Sequence, residues 1–158
     1  MAPDPAAGDV VFRHILFPTD GSNLSANAAR YAVTLARALG ARLTALHVTA
    51  PYMPPFPDLA AAYAMATGEE EYQRVTQAEA ERILGAAAEA ARAADVPFEA
   101  ARAVSGTPWD AIVRTAQERG CDAIVMASHG RKGVSALVLG SETVKVLTHC
   151  DIPVLVTR

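Results

Sequence analysis

Short apolar segments alternate with longer segments of helical periodicity along this chain. Five runs rich in Val, Ile, Leu and Phe, bounded by Gly, Pro or polar residues, predict strands at residues 11–18, 42–48, 98–104, 123–127 and 152–157. Between them, apolar side chains recur every three or four positions, which predicts helices at residues 24–39, 69–94 and 108–119 and a fourth that begins at Ser141. The predicted order is therefore β-α-β-α-β-α-β-α-β.

This alternation is typical of an α/β fold with an open, doubly wound parallel sheet that is covered by helices on both faces. Right-handed crossovers leave few strand orders, and the commonest one places the first strand in the middle of the sheet. Ligands of such folds bind where the winding direction reverses, at the carboxyl ends of the strands. The ends of the first and fourth strands are therefore the places where we expect chemistry.

Local signals set the limits of the helices. Ser22 or Asn23 is a plausible cap for the first helix, and Thr107 followed by Pro108 predicts the start of the third. Four prolines within residues 51–57 exclude a regular element there. In the second helix the spacing predicts a stripe that faces the core, formed by Tyr72, Val75, Ile83, Leu84, Ala87 and Ala91.

Composition and charge restrict the function classes. Of the 158 residues, 51% are hydrophobic and 20% charged, which suits one globular domain over residues 11–158 behind a flexible tail at residues 1–10. A net charge of −3 provides no basic surplus, so we expect no nucleic-acid partner. No segment has the pattern of a signal peptide or a membrane span, so we expect a cytoplasmic protein without a membrane partner. The cysteines and histidines lack metal-ligand spacing, so no metal site is predicted.

The segment that follows the fourth strand has the features of an anion site. A loop with Gly130, Gly133 and Gly140 leads into the helix that begins at Ser141. Backbone N–H groups at a helix start lack partners within the helix, and the helix dipole is positive there, which favours phosphate. The alternative is an ordinary connection between a strand and a helix.

The first strand ends in the sequence Pro-Thr-Asp-Gly-Ser at residues 18–22. If the first and fourth strands are neighbours, Asp20 faces the glycine loop across a crevice. A carboxylate accepts hydrogen bonds from ribose hydroxyls or an exocyclic amine, and the loop would hold phosphate, so together they suit a nucleotide. The alternative role for Asp20 is helix capping. The chain has no Walker A loop, no dinucleotide fingerprint and no Gly-x-Ser-x-Gly elbow.

Over residues 11–158 the chain resembles the universal stress protein family. The resemblance rests on ILFPTDGS at the first strand, DAIVMASHGRKG at the fourth, LGSETVKVLTHCDIPVLV at the end of the chain, and the proline-bearing loop after the second strand. Nucleotide-binding members carry Gly-x2-Gly-x9-Gly-Ser/Thr. Gly130 and, after nine residues, Gly140 and Ser141 match its later elements, whereas Ala127 occupies the first glycine position. A Cβ there either narrows the approach of ribose or phosphate or is tolerated if the backbone angles are ordinary.

The resemblance implies a five-stranded sheet in the order 3-2-1-4-5 and a role for each matching position. Asp20 would contact the adenosine, with Pro18 and Thr19 beside it, and the backbone of Val48 would meet adenine. The path of the ribose and phosphates would be formed by Met126, Ala127, Gly130, Gly140, Ser141 and Thr143. The last three would hold phosphate by amides and hydroxyls.

Three further residues bear on the charge of the phosphates. His129 and Arg131 lie in the loop and would neutralise the negative charge of the phosphates, although a loop arginine is more often a solvated cation. Glu142 lies in the first turn of the last helix, where an acid suits the dipole. It would repel a nearby triphosphate unless it points away or Mg²⁺ intervenes.

The resemblance implies a non-enzymatic stress-response protein that binds ATP (or AMP or ADP), with or without Mg²⁺, and signals by nucleotide occupancy. The last strand is apolar from Ile152 to Val156 and would be a sheet edge, so both the resemblance and the edge predict a homodimer through it. A second reading is a dimeric interaction module without nucleotide, which Ala127 and Glu142 favour. A third is an enzyme acting on nucleotides, against which the absence of a Ser-Gly-Gly-x-Asp-Ser loop argues.

Overall fold

In the part of the chain that the structure describes, five strands and four helices form one α/β unit. The computed structural model describes residues 12–53, 59–129 and 139–158, with side chains from residue 68 onward in the second helix. In chain order the elements are β1 (His14–Pro18), α1 (Asn23–Leu39), β2 (Arg42–Thr49), α2 (Leu59–Ala93), β3 (Phe98–Val104), α3 (Pro108–Glu118), β4 (Ala123–Ala127), α4 (Ser141–His149) and β5 (Val154–Thr157). Within the described residues, no helix is both long and apolar enough to cross a membrane.

The strands pair in parallel in the order β3-β2-β1-β4-β5, which confirms the predicted fold class and strand order. β1 is the central strand, and its side chains are buried on both faces of the sheet. Ile15 and Phe17 pack with α1 and α2, and Leu16 packs with α3 and α4. All three side chains are at most 1% exposed. The two faces of the sheet therefore carry separate apolar cores.

The neighbours β1 and β4 form the switch point of the sheet. Ile15 pairs with Ala123 and Leu16 with Ile124, while on its other side β1 pairs with β2. After β2 the chain continues to β3 at one edge of the sheet, and after β4 it continues to β5 at the opposite edge. A crevice therefore opens at the carboxyl ends of these strands. The pairing of β1 with β4 is the condition under which Asp20 was expected to face the loop after β4.

Several element limits differ from the prediction. α2 begins at Leu59, ten residues before the predicted start at residue 69, because the run after the prolines consists of strong helix formers. β5 begins at Val154 rather than residue 152, since Pro153 has no N–H to donate to a ladder. β1 was predicted from residue 11, which lies outside the described residues, but the strand begins at His14, and Phe12 and Arg13 precede it.

The predicted core-facing stripe of α2 is right only in its second half. Four of its members are buried at 9% exposure or less, namely Ile83, Leu84, Ala87 and Ala91. Val75, by contrast, is 52% exposed, and Tyr72 is half-buried against the segment after β2. The Tyr72 hydroxyl donates to the Ala50 carbonyl oxygen at 2.8 Å. The first half of α2 thus contacts the loop after β2, which apolar spacing alone does not reveal.

Candidate functional site

A cleft of about 630 Å³ opens at the carboxyl ends of β1, β2 and β4. Its volume lies within the range of small-molecule sites, roughly 300–1,000 Å³. Eleven of the thirteen predicted site residues line it: Pro18, Thr19, Asp20, Val48, Met126, Ala127, His129, Gly140, Ser141, Glu142 and Thr143. The other two, Gly130 and Arg131, lie outside the described residues. The structure therefore brings the described candidates together around one cavity.

A hydrogen-bonded turn after β1 places Asp20 at the cleft. Ser22 N donates to Asp20 Oδ1 at 2.9 Å, and Gly21 has a positive φ of 77° that turns the chain into α1. Ser22 is the N-cap, since its hydroxyl accepts from Ser25 N at 3.2 Å. Asp20 has a further interaction. Asp20 therefore belongs to the turn and the cleft wall and is not the capping residue of α1.

Thr19 is fixed on three sides. Its N–H donates to the Leu46 carbonyl at 2.8 Å, its carbonyl lies 2.8 Å from His47 Nδ1, and its hydroxyl lies 3.1 Å from Ser25 Oγ. Thr19, His47 and Ser25 are all at most 8% exposed. The start of the turn that carries Asp20 is consequently held by buried contacts to β2 and α1.

The backbone of Val48 faces the open side of β2. Leu46 directs its carbonyl toward β1, where Thr19 N donates to it, whereas Thr49 directs its carbonyl toward β3 and accepts from Ser105 N at 2.9 Å. Backbone groups alternate in direction along a strand, so Val48 points the same way as Leu46. The pairing of β1 with β2 ends at Pro18 and Leu46. The N–H and C=O of Val48 therefore face the cleft, where a base could pair with them.

The start of α4 is drawn close to the end of β4. Gly140 N donates to the Ser128 carbonyl at 2.8 Å, and the Thr143 hydroxyl lies 3.1 Å from the Ala127 carbonyl and 3.2 Å from the Ser128 carbonyl. A Cβ added to Gly140 would lie 3.1 Å from the Ser128 oxygen, so glycine permits this approach. The resemblance implied that Gly140, Ser141 and Thr143 hold phosphate by amides and hydroxyls. In the structure, the Gly140 amide and the Thr143 hydroxyl donate to carbonyls at and just after the end of β4 and position the helix.

Three backbone amides at the start of α4 precede the first hydrogen bond of the helix. The N-cap is Gly140, which has no side chain to cap the helix, and the first helical bond runs from Val144 N to the Gly140 carbonyl. The N–H groups of Ser141, Glu142 and Thr143 therefore have no partner within the helix. Together with the positive end of the dipole, they can bind an anion at the cleft wall.

Ala127 has ordinary strand geometry. It pairs with Thr157 of β5, and within the described residues the non-glycine residue with positive φ is Asp95. Its Cβ therefore needs no strained backbone, in line with the second of the two alternatives stated for this position. Its side chain is buried in the apolar cluster shared with α1 and α2.

Glu142 bridges the starts of two helices. Its Oε2 accepts from Trp109 N at 2.8 Å, and its Oε1 lies 3.3 Å from Lys145 Nζ. Thr107 was predicted to cap α3, but its side chain makes no capping bond, and its own N–H donates to Ser105 Oγ at 3.1 Å. The carboxylate of Glu142 supplies the cap from α4 instead.

His129 is the last of the described candidate residues to be placed, and it lies in the loop after β4. Its Nδ1 lies 3.1 Å from Ser128 Oγ, which leaves Nε2 as the ring atom that can meet a ligand. Among the described lining residues there is no lysine or arginine, and the charged side chains are those of Asp20 and Glu142. Within the same described part of the chain, no group of three or more His, Cys, Asp or Glu residues could hold a metal ion.

Sequence reasoning missed one wall of the cleft. The residues it did not name are Ser25, Leu46, Ala50, Ser105, Gly106, Pro108 and Ile112. Several of these belong to the start of α3 and the turn before it. A right-handed crossover from β3 to β4 must pass over β2 and β1, so the predicted strand order already placed the start of α3 beside the cleft. That topological signal was available in the sequence.

Comparisons with known proteins agree with this architecture. A family model described as "Universal stress protein family" matches residues 12–158. The chain is 34% identical over 148 residues, covering 94% of its own length and all of the relative, to "Universal stress protein in QAH/OAS sulfhydrylase 3'region" of Thermus aquaticus. It is similar to a universal stress protein solved in complex with cAMP, with a TM-score of 0.64, 26% identity and coverage of 94% and 98% of the two chains. It shares its fold with the universal stress protein of Archaeoglobus fulgidus in complex with dAMP, with a TM-score of 0.66, 23% identity and coverage of 94% and 99%.

Proposed function

The chain belongs to the universal stress protein family, and we propose that it binds an adenine nucleotide in the cleft and works by nucleotide occupancy rather than by catalysis. One observation carries this proposal: the start of α4, where three amides have no partner within the helix, faces the same cavity as the Asp20 carboxylate and the open backbone of Val48. The relatives solved with cAMP and dAMP support an adenine nucleotide as the ligand class. This ligand class comprises ATP, ADP and AMP, each bound with or without Mg²⁺.

The proposed orientation follows from the chemistry of the walls. Adenine has an acceptor and a donor on one edge, which match the N–H and C=O of Val48. Ribose hydroxyls are donors, and the ionised Asp20 carboxylate is an acceptor-only group with about four acceptor positions. Phosphate carries negative charge, which suits the amides of Ser141 and Thr143. The ligand would therefore span the crevice from β2 to α4.

A homodimer through β5 is the second part of the proposal. Among the described strands β5 pairs with β4 alone, so in this part of the chain one edge of the strand presents unpaired backbone groups. Leu155 on that strand is 46% exposed, and Val144 and Leu147 on the adjacent α4 are 42% and 41% exposed. Pairing with a second copy would bury these side chains. A Leu155→Arg variant should then sediment as a monomer at concentrations where the wild type is a dimer, and an unchanged mass would refute this interface.

An interaction module that binds no nucleotide is the competing function. It is favoured by the two carboxylates in the cleft and by the absence of lysine and arginine from the described lining residues. Such a protein would signal through its surface alone, and its cleft would be a consequence of the fold. The two functions differ in whether the purified protein takes up nucleotide in solution.

Calorimetric titration with ATP, ADP and AMP, with and without Mg²⁺, tests the proposal. We expect saturable binding that weakens roughly tenfold to a hundredfold in Asp20→Asn, since a hydrogen bond to a charged group contributes about 1.5–3 kcal/mol. Asparagine can still accept from Ser22 N, so the turn is retained. Asp151→Asn, an equal change at an exposed site away from the cleft, is the control. No binding of any of the three nucleotides at millimolar concentration would refute the proposal and favour the interaction module.

A further inference from the structure

The carboxylate of Glu142 lies between the starts of two helices at the cleft wall. Gly106 and Pro108 at the start of α3, and Gly140 and Ser141 at the start of α4, line the same cavity as Glu142. The bond from Trp109 N to Glu142 Oε2, at 2.8 Å, joins the two helices across 33 residues of sequence. One of the two positive helix ends at the cleft is therefore already occupied by an anion that belongs to the chain.

Two donors hold this carboxylate in place. Trp109 N meets one oxygen, and Lys145 Nζ, one turn further along α4, lies 3.3 Å from the other. Thr107 makes no side-chain cap at the start of α3. If Glu142 turned away, the half-buried N–H of Trp109 would lose its acceptor, and an unsatisfied donor at a helix start is costly. These contacts hold the carboxylate of Glu142 at the cleft wall, beside the proposed phosphate position.

The Glu142 carboxylate matters for a bound nucleotide because few other charges lie among the described lining residues. Asp20 and Glu142 are the two carboxylates, His129 is the titratable base, and no lysine or arginine lies among the described lining residues. The free amides at the start of α4 suit the oxygens of one phosphate group. Among the described lining residues, a second or third phosphate placed beside the first would meet the Glu142 carboxylate and the start of α3 that this carboxylate already caps. Like charges that share a cleft repel each other more strongly than they do in bulk water.

We propose that Glu142 sets the phosphate specificity of the cleft, so that it binds adenosine monophosphate in preference to adenosine triphosphate. This inference rests on the proposed function, since it presupposes that an adenine nucleotide occupies the cleft. It goes beyond that function because it assigns the preference within the nucleotide class to one side chain. Lys145 neutralises part of the charge, but its contact to Glu142 is exposed to solvent, with the two side chains 47% and 37% exposed.

The test compares AMP and ATP by calorimetry without divalent cations in the wild type and in Glu142→Gln. Glutamine is nearly isosteric and keeps an oxygen for Trp109 N, while it removes the charge. We expect the wild type to bind AMP more tightly than ATP, and the variant to bind ATP about tenfold more tightly than the wild type does, with AMP affinity changed less than about threefold. Glu118→Gln, at the exposed far end of α3, is the control with the same charge change and should match the wild type.

Each outcome decides between the claims. An unchanged ratio of ATP to AMP affinity in Glu142→Gln, with AMP binding intact, overturns the inference and leaves the proposed function standing. Tighter ATP than AMP binding by the wild type overturns it as well. If neither nucleotide binds to any of the three proteins, the proposed function fails and the inference fails with it. Thermal unfolding of the three proteins shows whether the variants are folded at the titration temperature.

Discussion

Replacing Thr143 with valine tests whether the Thr143 hydroxyl holds α4 in place or binds the ligand. Thr143 is 3% exposed, and its hydroxyl donates to the carbonyls of Ala127 and Ser128 at 3.1 and 3.2 Å. Valine keeps the shape of the side chain and removes the donor. The loss of one such hydrogen bond costs about 1–1.5 kcal/mol, and the Ser128 carbonyl still accepts from Gly140 N, so we expect a cost within this range.

The assay is thermal unfolding without nucleotide, followed by circular dichroism. For a chain of this length about 1 kcal/mol corresponds to roughly 2–4 °C, so Thr143→Val should lower the Tm by about 2–6 °C. Thr148→Val is the matched control on the same helix. The exposed Thr148 hydroxyl donates within α4, to the Val144 carbonyl at 2.9 Å. Such a bond contributes little, so the control should stay within about 0.5 kcal/mol of the wild type.

The nucleotide titration completes this prediction. If the hydroxyl only positions α4, Thr143→Val lowers the stability of the free protein, and affinity falls modestly because the helix start moves. If the Thr143 hydroxyl instead contacts phosphate, as the sequence suggested, the variant would lose affinity while its Tm without nucleotide stays at the wild-type value. That second result would refute the assignment of the hydroxyl to the helix-to-strand contact.

Four further predictions follow from the described residues. Gly85→Ala should raise stability by about 0.5–1 kcal/mol in chemical denaturation, because this helical position has nothing within 4 Å of an added Cβ; lower stability would contradict it. Gly140→Ala should lower both Tm and nucleotide affinity, because its Cβ would lie 3.1 Å from the Ser128 oxygen, and wild-type values for both would contradict this. Burial raises the pKa of the Cys121 thiol to about 11, so at about pH 8 little of it is the reactive thiolate and it reacts slowly with a labelling reagent. Cys121→Ser should therefore leave the fast phase of thiol labelling unchanged. Burial, with the nearby charge of an arginine, lowers the pKa of His14 below its ordinary value of 6.5. As the pH falls below about 6.5, His14 takes up a proton in the unfolded chain before it does so in the folded protein, so the free energy of unfolding should fall. His14→Gln should lose less of this free energy over the same pH range than the wild type.

The sheet and the position of Asp20 were predictable because they depend on local patterns that agree with one another. Apolar runs alternating with helical periodicity leave few topologies, and the resemblance selected the order that the structure has. Asp20 follows the central strand directly, so its place at the carboxyl edge is settled once β1 pairs with β4. These conclusions need only the direction of each strand and its neighbours.

The contacts of Glu142 and Thr143 could not be derived in the same way. Each depends on how α4 approaches another element, and sequence spacing carries no information about that approach. The partner of Glu142 is a backbone N–H 33 residues away, and the hydroxyl of Thr143 meets carbonyls some 15 residues earlier. The early start of α2 was missed for a different reason, because the prolines at residues 51–57 outweighed the helix formers that follow Leu59.

The most direct measurement of the central claim is a crystal structure of the full chain grown with AMP. The account predicts nucleotide density in the cleft, with the phosphate within hydrogen-bonding distance of the Ser141 and Thr143 amides, the ribose at Asp20 and adenine at the backbone of Val48. Nucleotide bound elsewhere on the protein, or bound in the cleft with its phosphate away from the start of α4, would contradict it.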